Sequence, residues 1–375
     1  MKNNISLPLL VWFLTLTSTV LASNTWYVDG VNGNDANDCQ TAMTACKTIG
    51  HAISLASSGD SIIVAAATYT EHLTIGFSLN VIGSGASTTI IDGGGVNGVV
   101  EISSGTVTLA GLTLRHGASA FAGAGIFNNG TLLVTASTIT ENSVFFTCDG
   151  GCLDLGGGGI YNSAGGKLTI SNSTIAGNTV QGRCTRGTCY TIVDGGGIYN
   201  FGAMVMTNST VAQNAARVGY GGLVEVGRGG AISNHGTASI SNSTISGNSA
   251  FQGSNIFNYI HFQVTLQNSI VASGGNCYGT MTSKGYNLSS DNTCNFNGPG
   301  DLNNTDPKLG TFGYNGGPTQ TIPLLSGSPA IDAGTPSGCT DAQGNLLKTD
   351  QRGMPRPDPG DTGGCDMGAY ETQGG

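Results

Sequence analysis

The segment from Gly157 to Val180 reads GGGIYNSAGGKLTISNSTIAGNTV, and variants of it begin near Gly125, Gly195, Gly229 and Ser254. A repeat whose apolar face can be buried only by stacking on its neighbours predicts a solenoid rather than a globule. Ile126, Ile160, Ile198, Ile232 and Ile256 align with steps of 34, 38, 34 and 24 residues. The 24-residue step is one bare coil, so the longer steps hold inserts at about 144 to 156, 180 to 194 and 216 to 228. Inserts at one point of successive coils emerge on one side of the solenoid. Two of the three carry a cysteine pair and are read as ordered loops.

Within each IxN unit a period of two sends the Ile inward, the next residue outward and the Asn inward. Asn128, Asn162, Asn200, Asn234 and Asn258 then stack as a ladder of amides, as Asn ladders do in stacked parallel strands. The outward positions give Phe127, Tyr161, Tyr199, Ser233 and Phe257, an external aromatic row with one gap. Mutual stacking that stiffens the coils accounts for such a row without any ligand. Its functional reading is a sugar-stacking platform. A further row, Thr138, Thr174, Thr210 and Thr244, is one residue wide, too narrow for an ice-facing array.

Before the repeats, Ile49, Ala52, Ile53 and Ala56 follow a helical period that Gly59-Asp60 ends. This predicts a short capping helix over the open end of the first coil. Strand signals follow at 61 to 65, 79 to 82, 89 to 92, 99 to 102 and 106 to 114. From Asn276 onward the coil wording fades and most of the prolines appear. That stretch is expected to be an irregular cap over the last coil. The organisation is therefore a signal peptide at 1 to 22, a β-helix with its N-terminal cap at 23 to 275, and C-terminal coils with a cap at 276 to 375.

The N-terminus has Lys2, an apolar run from Leu7 to Leu21 and small residues before Ser23, the pattern of a secretory signal peptide. The run is short for a membrane span. Ten cysteines in an exported chain read as a disulfide framework. Connectivity is formally open. Sequence neighbours give Cys39 with Cys46, Cys148 with Cys152, Cys184 with Cys189, Cys277 with Cys294 and Cys339 with Cys365, and no pair has a His at zinc-ligand spacing. Only 9% of residues are charged and the net charge is -9, which argues against nucleic acid or an anionic membrane as the main partner. The Asn-x-Ser/Thr triplets at Asn129, Asn172, Asn208, Asn242 and Asn287 follow from the repeat wording.

The wording GDSIIVAAATYTE, the GGGIYN and NSTIxGN repeats, and the ordered SPAIDAG, DQRG and CDMGAYE run resemble a known family. It is that of bacterial secreted right-handed parallel β-helix proteins of the pectin-lyase-like superfamily, with a C-terminal segment similar to the choice-of-anchor Q domain. The resemblance implies an all-β, right-handed parallel β-helix, an extracellular or cell-surface location, and often a polysaccharide as ligand or substrate. Proteins with that C-terminal segment often continue into an anchoring signal. This chain stops at Glu371-Thr-Gln-Gly-Gly, so its mode of attachment stays open.

A hydrolase of this fold needs paired carboxylates flanking one glycosidic bond, and the sequence has no Asp-Asp pair. A lyase needs acids for Ca2+, or an equivalent neutraliser, and a base for the C5 proton. The charges of the coils gather in or beside the inserts. The candidates are Asp149, Asp154, Asp194 and Glu225 as acids, with Arg183, Arg217, Tyr190 and Tyr220 as cationic or basic groups. Arg183, Arg186, Arg217 and Arg228 are candidate holders of sugar carboxylates or sulfates, and Phe127, Tyr161, Tyr199 and Phe257 are candidate stacking rings. The plainer reading of the insert charges is solvation. The sequence thus favours a secreted or surface carbohydrate-binding module without cofactor or metal. The alternative is a polysaccharide lyase or hydrolase on the insert face, with Ca2+ only in the lyase case.

Overall fold

The computed structural model describes residues 23–148, 155–185, 190–219, 224–359 and 364–374. The expected signal peptide, Asp149, Cys152, Asp154, Arg186, Cys189 and Tyr220 lie outside them, as do the side chains of Cys148, Tyr190 and Glu225.

Each repeat lays down three short strands joined by bends, and every strand pairs in parallel with its counterpart one coil away. In one full coil, Ile126–Asn128 runs in sheet C, Thr131–Thr135 in sheet A and Thr138–Thr140 in sheet B. Sheet A has ten strands, sheet B nine and sheet C eight. The chain is a right-handed parallel β-helix.

Registry makes like side chains stack on like. Ile126 pairs with Ile160, Ile160 with Ile198, and Ile198 with Ile232. All are fully buried, as are Val134, Ile170, Met206 and Leu266 of sheet A. Position Ala136 of one coil and Asn172, Asn208, Asn242 and Asn268 of the next ones adopt positive φ between sheets A and B. Asn tolerates that region better than other side chains, which is why the NST wording recurs at this corner.

The expected amide ladder is present. Nδ2 of Asn128, Asn162, Asn200 and Asn234 donates to Oδ1 of the next member at 2.7, 2.7, 2.7 and 2.9 Å. A second ladder runs at the corner after sheet B, through Asn142, Asn178, Asn214, Asn248, Asn255 and Asn276, at 2.8 to 3.0 Å. Both are buried. Each rung saturates amides that water cannot reach, so the ladders fix the corners while the aliphatic stacks supply burial.

The expected capping helix is Ile49–Leu55, with Thr48 as N-cap and Ile49, Ala52 and Ile53 buried. Between described residues, Cys39 closes on Cys46, Cys277 on Cys294 and Cys339 on Cys365. Cys184 is also in a disulfide, while the pairings expected for Cys148 and Cys184 involve Cys152 and Cys189, outside the described residues.

Two expectations need correction. The inserts are not separate loops. Their outgoing strands Ser143–Cys148, Thr179–Cys184 and Ala215–Gly219 stack in one parallel sheet, and their returning strands Leu155–Gly156, Tyr190–Asp194 and Val224–Arg228 stack in another. Val144, Phe146, Val180, Val193 and Ala216 form a second small core between them. Alternation of apolar residues at matched positions in three consecutive inserts lets each bury its face on the next, and the result is a flange on the β-helix.

The C-terminal segment, in turn, does not only close the last coil. Cys294 and Phe296 do plug the end of the main core. Beyond them, residues 304–359 and 364–374 double back as a strap along the outside of sheet B. Gln351 Oε1 accepts from Thr210 Oγ1 at 2.6 Å, and its amide donates to Thr174 Oγ1 at 3.0 Å. Asn208 and Asn242 donate to the carbonyls of Thr349 and Thr340, each at 2.7 Å. Leu324, Ala330 and Met367 of the strap pack on Ile270, Ala272 and Leu288. The threonine row is the seam on which the strap docks. It was open to docking because the NST corner leaves one amide and one hydroxyl per coil pointing out of the helix.

Candidate functional site

The outward positions of sheet C form one continuous register: Thr74, Glu101, Phe127, Tyr161, Tyr199, Ser233, Phe257 and Tyr278. Neighbouring rungs stand about 4.8 Å apart, so rings in this row stack from coil to coil. Phe127 and Tyr161 lie 4.9 Å apart, and Phe257 and Tyr278 lie 5.2 Å apart, both pairs stacked.

A second ring row, which the sequence reading missed, comes from the residue after each ladder Asn: Phe201, His235 and Tyr259. Phe201 lies 4.5 Å from Tyr199 and His235 stacks on Tyr259 at 4.7 Å. The signal was present in NFG, NHG and NYI. It was hidden because the period-two reading stops at the corner that displays these side chains.

The row is not uniformly external, which corrects the sequence reading. Tyr199 is 0% exposed and Phe257 3%, whereas Tyr278 is 49% exposed and Phe127 and Tyr161 are half-buried. The returning strands of the flange cover the middle of sheet C. A Cβ on Gly156 would stand 2.6 Å from Tyr199 Cδ1, so only a glycine there lets the flange close over the tyrosine ring. Burial raises the Tyr161 phenol above its ordinary range.

Under the flange, Ser233 Oγ donates to Asp194 Oδ1 at 2.6 Å, and His235 Nε2 stands 3.7 Å from the same oxygen. Asp194 and Ser233 are fully buried. The carboxylate, not the imidazole, holds the serine proton. This is not the order of a nucleophile and its base, where the histidine sits between the other two groups.

Open space remains at the two ends of the covered stretch. One cavity, of about 450 Å³, lies over Thr74, Glu101 and Phe127, with His72 and Phe121 at its rim. The other, of about 560 Å³, has Phe257 and Tyr278 as floor, Arg228 on one wall and Tyr259, Ile260 and Phe262 on the other. The turn 259 to 262 contains His261 at φ 74° and pushes its apolar side chains outward, Ile260 to 66% exposure. The Arg228 guanidinium lies 5.1 Å over the Phe257 ring, and its buried Nε has no hydrogen-bond partner.

Among the described residues the insert charges do not converge. Arg183 and Arg217 are exposed on the outer face of the outgoing strands, Arg217 in register with Gln181 and Arg183 with Thr147. Asp194 and Arg228 sit on the returning strands, in register with each other. The small core of the flange separates the two sets. Of the four arginines offered as a cluster, Arg228 lines the groove, Arg183 and Arg217 face away from it, and Arg186 lies outside the described residues. Among the described residues, the one His/Cys group with metal-like spacing is Cys39, Cys46 and His51, and its two sulfurs are joined to each other.

In sequence, no family model and no curated protein matches this chain. Solved structures similar in shape include pectate lyase Pel9A, with 15% identity, a TM-score of 0.49, and coverage of 95% of this chain and 98% of that one. A pectin methylesterase in complex with a hexasaccharide has 12% identity and a TM-score of 0.33, covering 74% of this chain and 82% of its own. Pectin methylesterase PemA from Erwinia chrysanthemi has 14% identity, a TM-score of 0.31 and the same coverages, 74% and 82%. These likenesses carry no argument about chemistry. The fold rests on the strand ladders described above.

Proposed function

We propose that the outer face of sheet C is a carbohydrate-binding groove of an exported β-helix protein. The observation that carries this reading is the open cavity at its C-terminal end, floored by the stacked pair Phe257 and Tyr278 and walled by Tyr259 and Arg228. Tyr278, half exposed where Phe257 is buried beneath Arg228, offers apolar ring surface to a sugar, and a guanidinium pairs with a carboxylate or sulfate. The preferred ligand is therefore an acidic glycan, with its charged group beside Arg228. Arg183 and Arg217, on the far side of the flange, would contact only a ligand that wraps around it.

Export is supported by the signal-peptide wording and by three closed disulfides, which persist in oxidising compartments. No helix among the described residues is long and apolar enough to cross a membrane. We further propose that the segment 276 to 375, C-terminal coils followed by a choice-of-anchor Q-like cap, serves surface placement.

The test is retention of the mature protein on immobilised uronan, sulfated glycan and neutral plant polysaccharide. Absorbance of unsaturated ends and a reducing-end assay are followed in the same samples. Retention on the acidic polymers without new ends, weakened about tenfold by Tyr278→Ala and by Arg228→Gln, is the expected result. New ends would make the protein a lyase or hydrolase, and retention unchanged in both variants would remove the groove.

A further inference from the structure

The strap carries a dry cluster of charges that the groove does not use. Arg356 Nε donates to Glu371 Oε2 at 2.7 Å, and both side chains are fully buried. Arg356 also reaches Asn208 Oδ1 of the β-helix at 2.8 Å and the Gly368 carbonyl at 2.7 Å. Arg352 pairs with Asp350 at 2.7 Å, and Asp350 Oδ2 accepts the Glu371 backbone N–H at 3.0 Å. Asp366 accepts the N–H groups of Asp332 and Thr372 at 2.8 and 2.6 Å.

Three buried carboxylates, Asp350, Asp366 and Glu371, therefore face two guanidiniums, Arg352 and Arg356. Among the described residues the β-helix adds no charge to offset them. It presents Asn208, Thr210, Thr244 and Asn268 to this part of the strap. Lys348 offers only its carbonyl, to the Arg356 N–H, and its side chain is exposed, as is that of Asp332. Asp350 pairs with Arg352 and Glu371 with Arg356, so the cluster holds one carboxylate more than its guanidiniums, and Glu371 Oε1 is buried without a hydrogen-bond partner. A buried, unpaired negative charge costs several times more than a neutral carboxyl in the same place.

We propose that the strap is a proton-gated latch: docking on sheet B takes up one proton into the Asp350, Asp366 and Glu371 cluster, so the strap holds in mildly acidic medium and loosens towards neutrality. Loosening uncovers the hydrogen-bonding row of Thr174, Thr210 and Thr244. Burial pushes the Glu371 carboxyl up to about 7, against an attraction to Arg356 that pulls it down, and burial likewise raises Asp366. The docked pKa lies above the undocked one. The proton's contribution is then complete below the ordinary glutamate range and is lost as pH rises through about 7.

Hydrogen exchange of the mature protein, corrected for intrinsic rate, tests this at about pH 5 and about pH 7.5, with the coil amides of sheet A as internal reference. One linked proton changes the opening constant by up to about tenfold per pH unit inside the window. Protection of strap amides such as Gln351, Met367 and Glu371 is expected to fall at least about tenfold relative to sheet A. In E371Q it is expected to stay flat. Strap protection in the wild type that moves no more than sheet A, or an E371Q protein with the wild-type slope, would overturn the latch. Should E371Q not fold, the wild-type comparison decides alone.

Discussion

Gln351 and Thr210 are 141 positions apart in the chain and 2.6 Å apart in space, joined by a buried hydrogen bond from the threonine hydroxyl to the glutamine carbonyl. The same side chain donates to Thr174 Oγ1 and Thr319 Oγ1, so one residue stitches two coils of sheet B to the strap. Gln351→Ala leaves the Thr210 hydroxyl buried without that partner, while the Thr174 and Thr319 hydroxyls keep the Gln320 and Asn172 carbonyls. It is expected to cost about 1 to 3 kcal/mol, read as a lower thermal midpoint with earlier exchange of strap amides. An unchanged midpoint would mean that the seam contributes nothing to stability.

The amide ladder makes a sharper contrast. Asn200 accepts from Asn162 and donates to Asn234, each at 2.7 Å and all buried. Asn200→Ala strands a donor on one side and an acceptor on the other, which predicts a loss of about 2 to 4 kcal/mol in denaturant unfolding. Asn129, one residue beyond the ladder and exposed, is expected to tolerate Ala within about 0.5 kcal/mol.

Two tyrosines of one row are expected to separate stability from binding. Tyr199 is fully buried beneath the flange, and Tyr199→Ala should cost about 3 to 5 kcal/mol as a core truncation. Tyr278 is half exposed on the cavity floor, and Tyr278→Ala should cost about 1 kcal/mol or less while weakening glycan retention. Paired melting and retention assays check both, and a Tyr278→Ala protein as unstable as Tyr199→Ala would blur the distinction.

Acid should loosen the N-terminal end. Burial pushes the Asp60 carboxyl up, but the Ser57 N–H, Trp26 Nε1 and the Asn24 N–H outweigh it and hold it below the ordinary range. The contribution of Asp60 is therefore present above the ordinary aspartate range and lost as pH falls through the lowered value. Trp26 fluorescence is expected to report a transition on acidification, and in Asp60→Ala that step is expected to be missing with the acid-form signal already present at neutral pH; a curve identical in the two proteins would contradict the assignment.

Much of the fold was legible because the repeat states each residue's direction. Ile126 inward, Phe127 outward and Asn128 inward follow from a period of two, and registry then stacks every coil on the last. The second ladder, through Asn142 and Asn178, was visible only as a turn, since nothing local says that a turn amide faces its copy 36 residues on. The strap was not legible for the same reason. No periodicity links Gln351 to Thr210 or Arg356 to Asn208. The candidate site was half legible: the rings could be listed, but which of them the flange covers depends on Gly156 closing over Tyr199. Likewise, Arg183 and Asp194 are close in sequence yet point to opposite sides of the flange, because an outgoing and a returning strand turn their polar faces apart.

A hydrogen-exchange footprint of the mature protein with an acidic oligosaccharide, a short uronan fragment, at saturating concentration reads the proposed groove on sheet C residue by residue. Added protection at the turn 259 to 262 and around Tyr278, with sheet A and the strap unchanged, is the predicted result. Protection confined to sheet A or the strap, or none at a concentration where binding is independently measured, would contradict it.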